Sequence, residues 1–169
     1  MNLITERLIV EAHKDIGVCE ATRNSGPEID GWLRRVGQKP GAPWCAAWAW
    51  CKLDDAIKAI GYTNHLPPTA SVHRLFELAH QHHAWWPQPG PGCIFGIDHG
   101  EGVGHCGIVL DVRDDVLATI EGNTNRKGER EGKWVLVRTR TPAECGLGYL
   151  DPGMLLAGQV CSEAHPENG

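Results

Sequence analysis

Residues 39–51 read KPGAPWCAAWAWC, and this stretch decides the fold. Two prolines and a glycine come early in it and mark an extended or turning segment, because both residue types disfavour a helix interior. After the first tryptophan, apolar residues recur at helical spacing as far as Ile60, and Gly61 stands where a helix would end. The pattern predicts a largely buried helix that begins at Cys45.

Cys45 falls in the first turn of this predicted helix. Unpaired backbone N–H groups and the helix dipole favour a negative charge there, and both lower the pKa of a thiol. A thiolate that exists near neutral pH is a strong nucleophile. Two interpretations follow from this stretch alone: a catalytic nucleophile, or a small buried apolar residue, which is the role of most cysteines.

The composition is that of an ordinary soluble globular protein. The 169 residues are 41% hydrophobic and 22% charged, which suits one substantial core and leaves no room for a second large domain. We therefore expect a single catalytic domain over residues 1–160, followed by a flexible tail over residues 161–169. The net charge of -5, without a basic stripe, argues against nucleic acid as a partner.

The sequence contains no segment that predicts a targeting signal or a membrane span. Residues 3–10 are too short and too charged for the apolar part of a signal peptide, and no apolar stretch is long enough to cross a bilayer. We expect synthesis in the cytoplasm without a signal peptide. Seven cysteines, an odd number, then indicate reduced thiols rather than a disulfide framework.

The periodicity of apolar residues changes once along the chain, from helical spacing to short runs broken by glycine. The predicted helices cover residues 3–16, 27–36, 45–60 and 72–81. The predicted strands cover residues 92–97, 104–112, 116–121, 134–139 and 147–150. Helices first and antiparallel strands afterwards predict an α+β domain, with N-terminal helices packed on a C-terminal sheet of about five strands.

A second chemical motif is GHCGIVL over residues 104–110. Residues alternate faces along a strand, so His105 and Cys106 are expected to point in opposite directions. If His105 faces the Cys45 helix, it can act as a general base for the thiol and then as an acid for the leaving group. The alternative is a hydrogen-bonded structural histidine. Gly104 beside it is expected to leave space for a substrate chain.

The third motif, TIEGNTN over residues 119–125, follows in the adjoining strand. A hairpin between the two strands can bring Glu121 beside His105, where a carboxylate would orient the imidazole and stabilise its charged form. Asn123 can share that side if the strand continues so far. Each residue alone is unremarkable in a surface strand or turn. Together with Cys45 and His105, the order Cys, His, Glu-x-Asn is considerably more specific than any of these residues alone.

These motifs together resemble the CHAP family, the cysteine, histidine-dependent amidohydrolases/peptidases. The quoted segments are PWCAAW around Cys45, GHCGIV around His105 and IEGNTN around Glu121. The lead-in, GVCE over residues 17–20 and NSG over residues 24–26, resembles the small phage-associated or prophage-associated members. The resemblance covers roughly residues 5–150. Related NlpC/P60 enzymes usually carry histidine at the third position, so Glu121 favours CHAP.

The resemblance implies a papain-like fold and a peptidoglycan hydrolase that cleaves an amide bond through an acyl-enzyme. It implies that Cys45 is the nucleophile, His105 the general base and Glu121 the residue that orients it. Asn123 is an accessory polar group near the histidine or the oxyanion. Whether Glu121 or Asn123 is the main partner of His105 stays open. An N-acetylmuramoyl-L-alanine amidase and an endopeptidase also remain equal alternatives.

Further expectations concern binding and location. Trp44 and Gly104 are expected to bind substrate, and no metal or other cofactor is expected, since no Asp-x-Asp calcium pattern precedes the cysteine. Peptidoglycan is the expected partner of what we expect to be a monomer. Action at the bacterial cell wall would then require export by phage lysis or by a secretion system.

One alternative is a zinc-dependent hydrolase, because imidazoles and carboxylates can bind zinc. The candidate ligands are His73, His80, His83, Asp98, His99 and His105.

Another alternative is a non-catalytic module that holds wall peptides or a partner protein in a cleft lined by tryptophan. The candidate lining residues are Trp44, Trp48, Trp50, Trp85 and Trp86.

Overall fold

Helices and an antiparallel sheet form the α+β architecture of the chain in the computed structural model, which describes residues 2–125 and 132–163. The helices are α1 (Leu3–His13), α2 (Pro27–Arg35), α3 (Cys45–Ala59), α4 (Val72–Gln81) and α5 (Pro152–Glu163). The strands are β1 (Trp85–Trp86), β2 (Ile94–Gly100), β3 (Val103–Arg113), β4 (Val116–Thr124), β5 (Trp134–Arg140) and β6 (Gly148–Leu150). A short 3-10 helix covers Pro142–Glu144. The predicted α+β class is confirmed.

The sheet has the strand order β1-β6-β2-β3-β4-β5, and every pairing is antiparallel. Within the described residues it has six strands, one more than predicted, because β1 is only two residues long and too short to show a periodic pattern. The strands β3 and β4 are neighbours, joined by the predicted turn in which Asp114 has a φ of 52°. The strands that carry His105 and Glu121 therefore lie side by side.

Helix α3 is the most buried element of the helical layer. It contacts α1, α2 and α4 as well as β3 and β4, and most of its residues belong to one apolar cluster. Polar contacts at its edge also hold α3 in place. Trp48 Nε1 donates a hydrogen bond to Asp15 at 2.9 Å, and Lys52 forms a salt bridge with the same carboxylate at 2.8 Å. This packing fixes the position of Cys45, the first residue of the helix.

The side chains on the two faces of the sheet belong to two different apolar clusters. Cys106, Ile108 and Ile120 face the helices and belong to the main core. Phe95 lies on the opposite face in a smaller apolar cluster, and its ring centroid is 6.3 Å from that of His105. The predicted alternation of His105 and Cys106 between the two faces is therefore confirmed.

Several predicted element ends need correction. Helix α1 ends at His13 rather than at residue 16, and turns follow it. Helix α5 was not predicted, and it reaches Glu163, so the tail expected from residue 161 overlaps its last turn. Strand β4 extends three residues beyond its predicted end at residue 121, and residues 126–131, between β4 and β5, lie outside the described part of the chain. Residues 164–169 of the expected tail lie outside it too.

Within residues 2–125 and 132–163, the helices are all too short or too polar to cross a membrane.

Candidate active site

The nucleophile candidate lies at an uncapped helix N-terminus. Trp44 is the N-cap residue of α3, and its side chain makes no capping hydrogen bond. All residues of the first turn are described, and none of them is acidic. The first backbone N–H groups and the positive end of the helix dipole are therefore available to a negative charge on Cys45 or on a bound substrate.

His105 and Glu121 are joined by a short hydrogen bond inside the protein. His105 Nε2 lies 2.8 Å from Glu121 Oε2, and the two residues are 6% and 0% exposed. The antiparallel register, in which Ile108 pairs with Ile120, brings the two side chains to the same face. The question left open by the sequence is settled for the resting geometry, because Glu121 is the residue that hydrogen-bonds the imidazole.

The glycines beside His105 serve the packing of the protein. A Cβ atom at Gly107 would lie 2.8 Å from Glu121 Cγ, so the missing side chain makes room for the carboxylate. A Cβ atom at Gly104 would lie 3.0 Å from Val72 Cβ and 2.9 Å from the carbonyl oxygen of Ile97. Gly104 does line the cleft beside Cys45, but the space freed by the missing side chain is occupied by protein atoms.

Glu121 sits in a set of donors that sequence reasoning missed. Arg140 Nε donates to Oε1 at 2.8 Å and Arg140 Nη2 to Oε2 at 2.7 Å. Thr119 Oγ1 donates to Oε1 at 2.8 Å, and Thr124 Oγ1 reaches Oε2 at 3.3 Å. Burial raises the pKa of Glu121, but hydrogen bonds from Arg140 and His105 outweigh it and hold that pKa at about 2. The carboxylate is therefore ionised at neutral pH.

The Cys45 sulfur interacts with two side chains of β3. A hydrogen bond with Cys106 and the neighbouring His105 lower the pKa of Cys45 well below its usual value, against the effect of burial. Burial lowers the pKa of His105, but its interactions with Cys45 and Glu121 raise it to about 9. The lowered pKa of Cys45 and the raised pKa of His105 favour a thiolate paired with an imidazolium. Cys106, to which sequence analysis gave no role, keeps its proton because its pKa is raised well above the usual value.

A cleft of about 280 Å³ opens over this pair. Its lining includes Asn24, Ser71, Gly104 and Asn123 in addition to Cys45 and His105. Asn123 interrupts the regular pairing of β4, since the register shifts between Glu121 and Thr124 and its φ is 56°. Its Oδ1 atom is buried without a hydrogen-bond partner among the described residues. Asn123 thus borders the cleft and retains hydrogen-bonding capacity next to the nucleophile.

The prediction that Trp44 binds substrate is wrong. Its side chain is fully buried, and Nε1 donates to Glu20 at 2.9 Å. The ring packs against Trp32 with centroids 5.6 Å apart, and Gly122 has no room for a Cβ atom beside it. Trp48 and Trp50 are buried in the same core, so the cleft lined by tryptophan that the binding-module alternative requires is not formed by these residues.

The histidines proposed as zinc ligands are dispersed. His80 stacks on Trp85 with centroids 4.7 Å apart, and His73 pairs with Asp98 at the surface at 3.1 Å. In the described part of the chain, no group of three or more histidine, cysteine, aspartate or glutamate side chains is placed to hold a metal ion. The zinc alternative therefore lacks a ligand set there.

The site thus combines a cysteine of lowered pKa at a helix N-terminus, a histidine beside it and a buried carboxylate that binds the imidazole, and the cysteine and the histidine border an open cleft. Comparison with known proteins found no matching protein-family model, no matching curated protein and no matching solved structure.

Proposed function

We propose that this protein is a cysteine amidohydrolase of the CHAP type, with a papain-like arrangement, that cleaves an amide bond in peptidoglycan. The observation that carries the proposal is the 2.8 Å hydrogen bond between the imidazole of His105 and the buried Glu121, with Cys45 interacting with the same imidazole at the edge of the cleft. A nucleophile, a base and an orienting group in this order form the set needed for covalent acyl transfer.

Acylation begins with attack of the Cys45 thiolate on the carbonyl carbon of the amide. The oxyanion that forms lies near the N-terminus of α3, where the backbone N–H of Cys45 can stabilise it. Because Nε2 of His105 is bound to Glu121, Nδ1 faces the reaction. The Nδ1 proton passes to the departing nitrogen, the C–N bond breaks, and a thioester remains on Cys45.

Deacylation uses the same groups in reverse. Neutral His105 removes a proton from water, and the resulting hydroxide attacks the thioester carbonyl. The C–S bond then breaks, the carboxylic acid product leaves, and the thiolate and imidazolium are restored. Glu121 keeps the imidazole in one orientation during both steps.

Peptidoglycan as the substrate is supported by the three sequence motifs around Cys45, His105 and Glu121. The buried α3 that packs on β3 and β4 supports the papain-like arrangement that the motifs imply. A stem-peptide or cross-bridge amide and the amide next to N-acetylmuramic acid are both accepted by this chemistry. Action at the wall after export is part of the same proposal.

The test is incubation of purified protein with peptidoglycan, with fragments identified by mass spectrometry. Cys45→Ala should abolish fragment release, and the new ends released by the wild-type protein would name the bond. Cys51→Ala is the matched control, since Cys51 lies on the same helix and burial raises its pKa to about 12. Activity lost equally in both variants, or retained in Cys45→Ala, would contradict the proposal.

A thiol-reactive probe gives a second readout that needs no substrate. Near neutral pH it should label Cys45 much faster than Cys51, because the pKa of Cys45 is lowered well below its usual value whereas burial raises that of Cys51 to about 12. The labelled peptide is identified by mass spectrometry, which separates Cys45 from the more exposed Cys19. If Cys45 is not labelled and no fragment is released from any wall type, thiol hydrolysis is excluded.

A further inference from the structure

Arg140 reaches the candidate active site from the end of β5, two strands away from His105. Its guanidinium binds both oxygens of Glu121 in a fork, at 2.8 Å and 2.7 Å. The side chain of Arg140 is 10% exposed and that of Glu121 is 0% exposed. A planar guanidinium that binds both oxygens keeps a buried carboxylate ionised and fixes its orientation. The ammonium group of a lysine does this less well.

The charges around Glu121 change during the proposed reaction. At rest, the charges of Cys45, His105, Glu121 and Arg140 sum to zero. When His105 gives its proton to the leaving nitrogen, the imidazole becomes neutral and Arg140 is then the cation that remains beside Glu121. Without Arg140, a buried carboxylate would face a neutral ring at that stage, and burial would favour its protonation.

A protonated Glu121 would disturb the base. The neutral imidazole must keep its proton on Nε2, donated to Glu121, so that the lone pair on Nδ1 can accept a proton from water. A carboxylic acid at this position can instead donate to Nε2 and leave the proton on Nδ1. The neutral ring would then have the tautomer that cannot act as a base toward the cleft.

We propose that Arg140 is a positioning residue that keeps Glu121 ionised and correctly placed throughout the catalytic cycle, including the stage at which His105 is neutral. The inference rests on the proposed thiol chemistry, and it adds a fourth residue to Cys45, His105 and Glu121. The neutral donors Thr119 and Thr124 hold the carboxylate in place but cannot compensate its charge.

The other titratable groups near Glu121 cannot compensate its charge in place of Arg140. Among the described residues they are His105 and Cys106 on β3, and Glu144 and Cys145 in the segment after β5. The pKa of Cys106 is raised well above its usual value, and burial raises the pKa of Cys145 to about 11, so both are uncharged near neutral pH. Glu144 binds Arg140 Nη1 at 3.2 Å from the solvent side.

The test compares Arg140→Met, Arg140→Lys and the control Arg138→Met. Arg138 lies on the same strand and donates to the backbone oxygen of Asn125 at 2.6 Å rather than to Glu121. Two profiles are measured against pH: kcat/KM for fragment release, and the rate of Cys45 alkylation by iodoacetamide. In Arg140→Met the acid limb of both profiles should move upward by roughly 1–3 pH units, because Glu121 loses its main cation. Arg140→Lys should give a smaller shift, and Arg138→Met none.

A double variant identifies the titrating group. When Glu121→Gln is added to Arg140→Met, the new acid limb in the alkylation profile should disappear, since no carboxylate is left to titrate.

An unchanged acid limb in Arg140→Met, with activity lowered at all pH values alike, would overturn the inference and leave Arg140 a structural residue. If Arg140→Met does not fold, the shift of the acid limb in Arg140→Lys tests the inference instead. Absence of fragment release by the wild-type protein would refute the proposed hydrolysis, while the alkylation profile would still test Arg140.

Discussion

Cys106 interacts with Cys45, although the two residues lie on different layers of the fold. Cys45 begins α3, and Cys106 stands on the helix-facing side of β3, one residue after His105. The proposed nucleophile therefore interacts with two consecutive residues of one strand. Cys106 acts as a neutral donor, because its own pKa is raised far above the usual value by Cys45 and by burial.

Cys106→Ala should weaken the nucleophile. Loss of the thiol donor raises the pKa of Cys45, so less thiolate is present at neutral pH and the alkylation profile moves toward higher pH, by about one unit. Cys106→Ser should retain most of the effect because a hydroxyl also donates. Cys93→Ala removes a buried thiol from the opposite cluster and serves as the control. An alkylation profile that is the same in Cys106→Ala and wild type would contradict this role.

The pH profile of kcat/KM should fall on the alkaline side near pH 9. Acylation requires the imidazolium form of His105 as the proton donor, and its pKa is raised to about 9, so that form is lost as the pH rises through this value. Glu121→Gln removes one of the groups that raise the pKa and should move the alkaline limb to lower pH. A wild-type limb near the ordinary histidine pKa of 6.5 would show that His105 is not held in its charged form.

Gly107→Ala should lower both activity and stability. The added Cβ would lie 2.7 Å from the carbonyl oxygen of Ile120 and 2.8 Å from Glu121 Cγ, so the carboxylate or the strand must move. Gly31→Ala is the control and should raise stability instead. Nothing lies within 4 Å of the Cβ position of residue 31 in α2, and alanine stabilises a helix by about 0.5–1 kcal/mol relative to glycine. Thermal unfolding and fragment release measure the two effects. Equal stability in the two variants would argue against the proposed crowding.

Trp44→Phe should reduce stability without changing KM. The substitution removes the donor to Glu20 and leaves part of a fully buried indole site empty, at a cost of roughly 1–3 kcal/mol. Urea unfolding gives the free energy of unfolding, and peptidoglycan turnover gives KM. A raised KM with unchanged stability would restore Trp44 as a substrate-binding residue.

Short-range patterns were sufficient to find the groups at the centre of the site. Cys45 follows a proline-rich turn and opens an apolar helix, while His105 and Glu121 belong to two strands joined by a short turn. Arg140 and Cys106 could not be assigned in the same way. The role of Arg140 depends on the register of β5 against β4, and that of Cys106 depends on how α3 sits on the sheet.

Trp44 shows how a position in the sequence can predict the wrong role for a side chain. Its position next to the nucleophile is visible in the sequence, but side chains adjacent along the chain diverge at a helix start. The indole turns into the core toward Glu20, and the sulfur of Cys45 borders the cleft. The two-residue strand β1 was missed because it is too short to show a periodic pattern, and no element was predicted for the residues that form the helix α5.

The proposed nucleophile, Cys45, belongs to the helical layer, whereas the proposed base, His105, and its carboxylate partner, Glu121, belong to the sheet. Only the packing of α3 on β3 and β4 keeps the sulfur and the imidazole together. An expanded state with native helices and strands but loosened tertiary packing would separate the two halves of the catalytic pair. Hydrolytic activity should therefore disappear at a lower denaturant concentration than far-ultraviolet circular dichroism changes, which makes catalysis a sensitive probe of the docking between the layers.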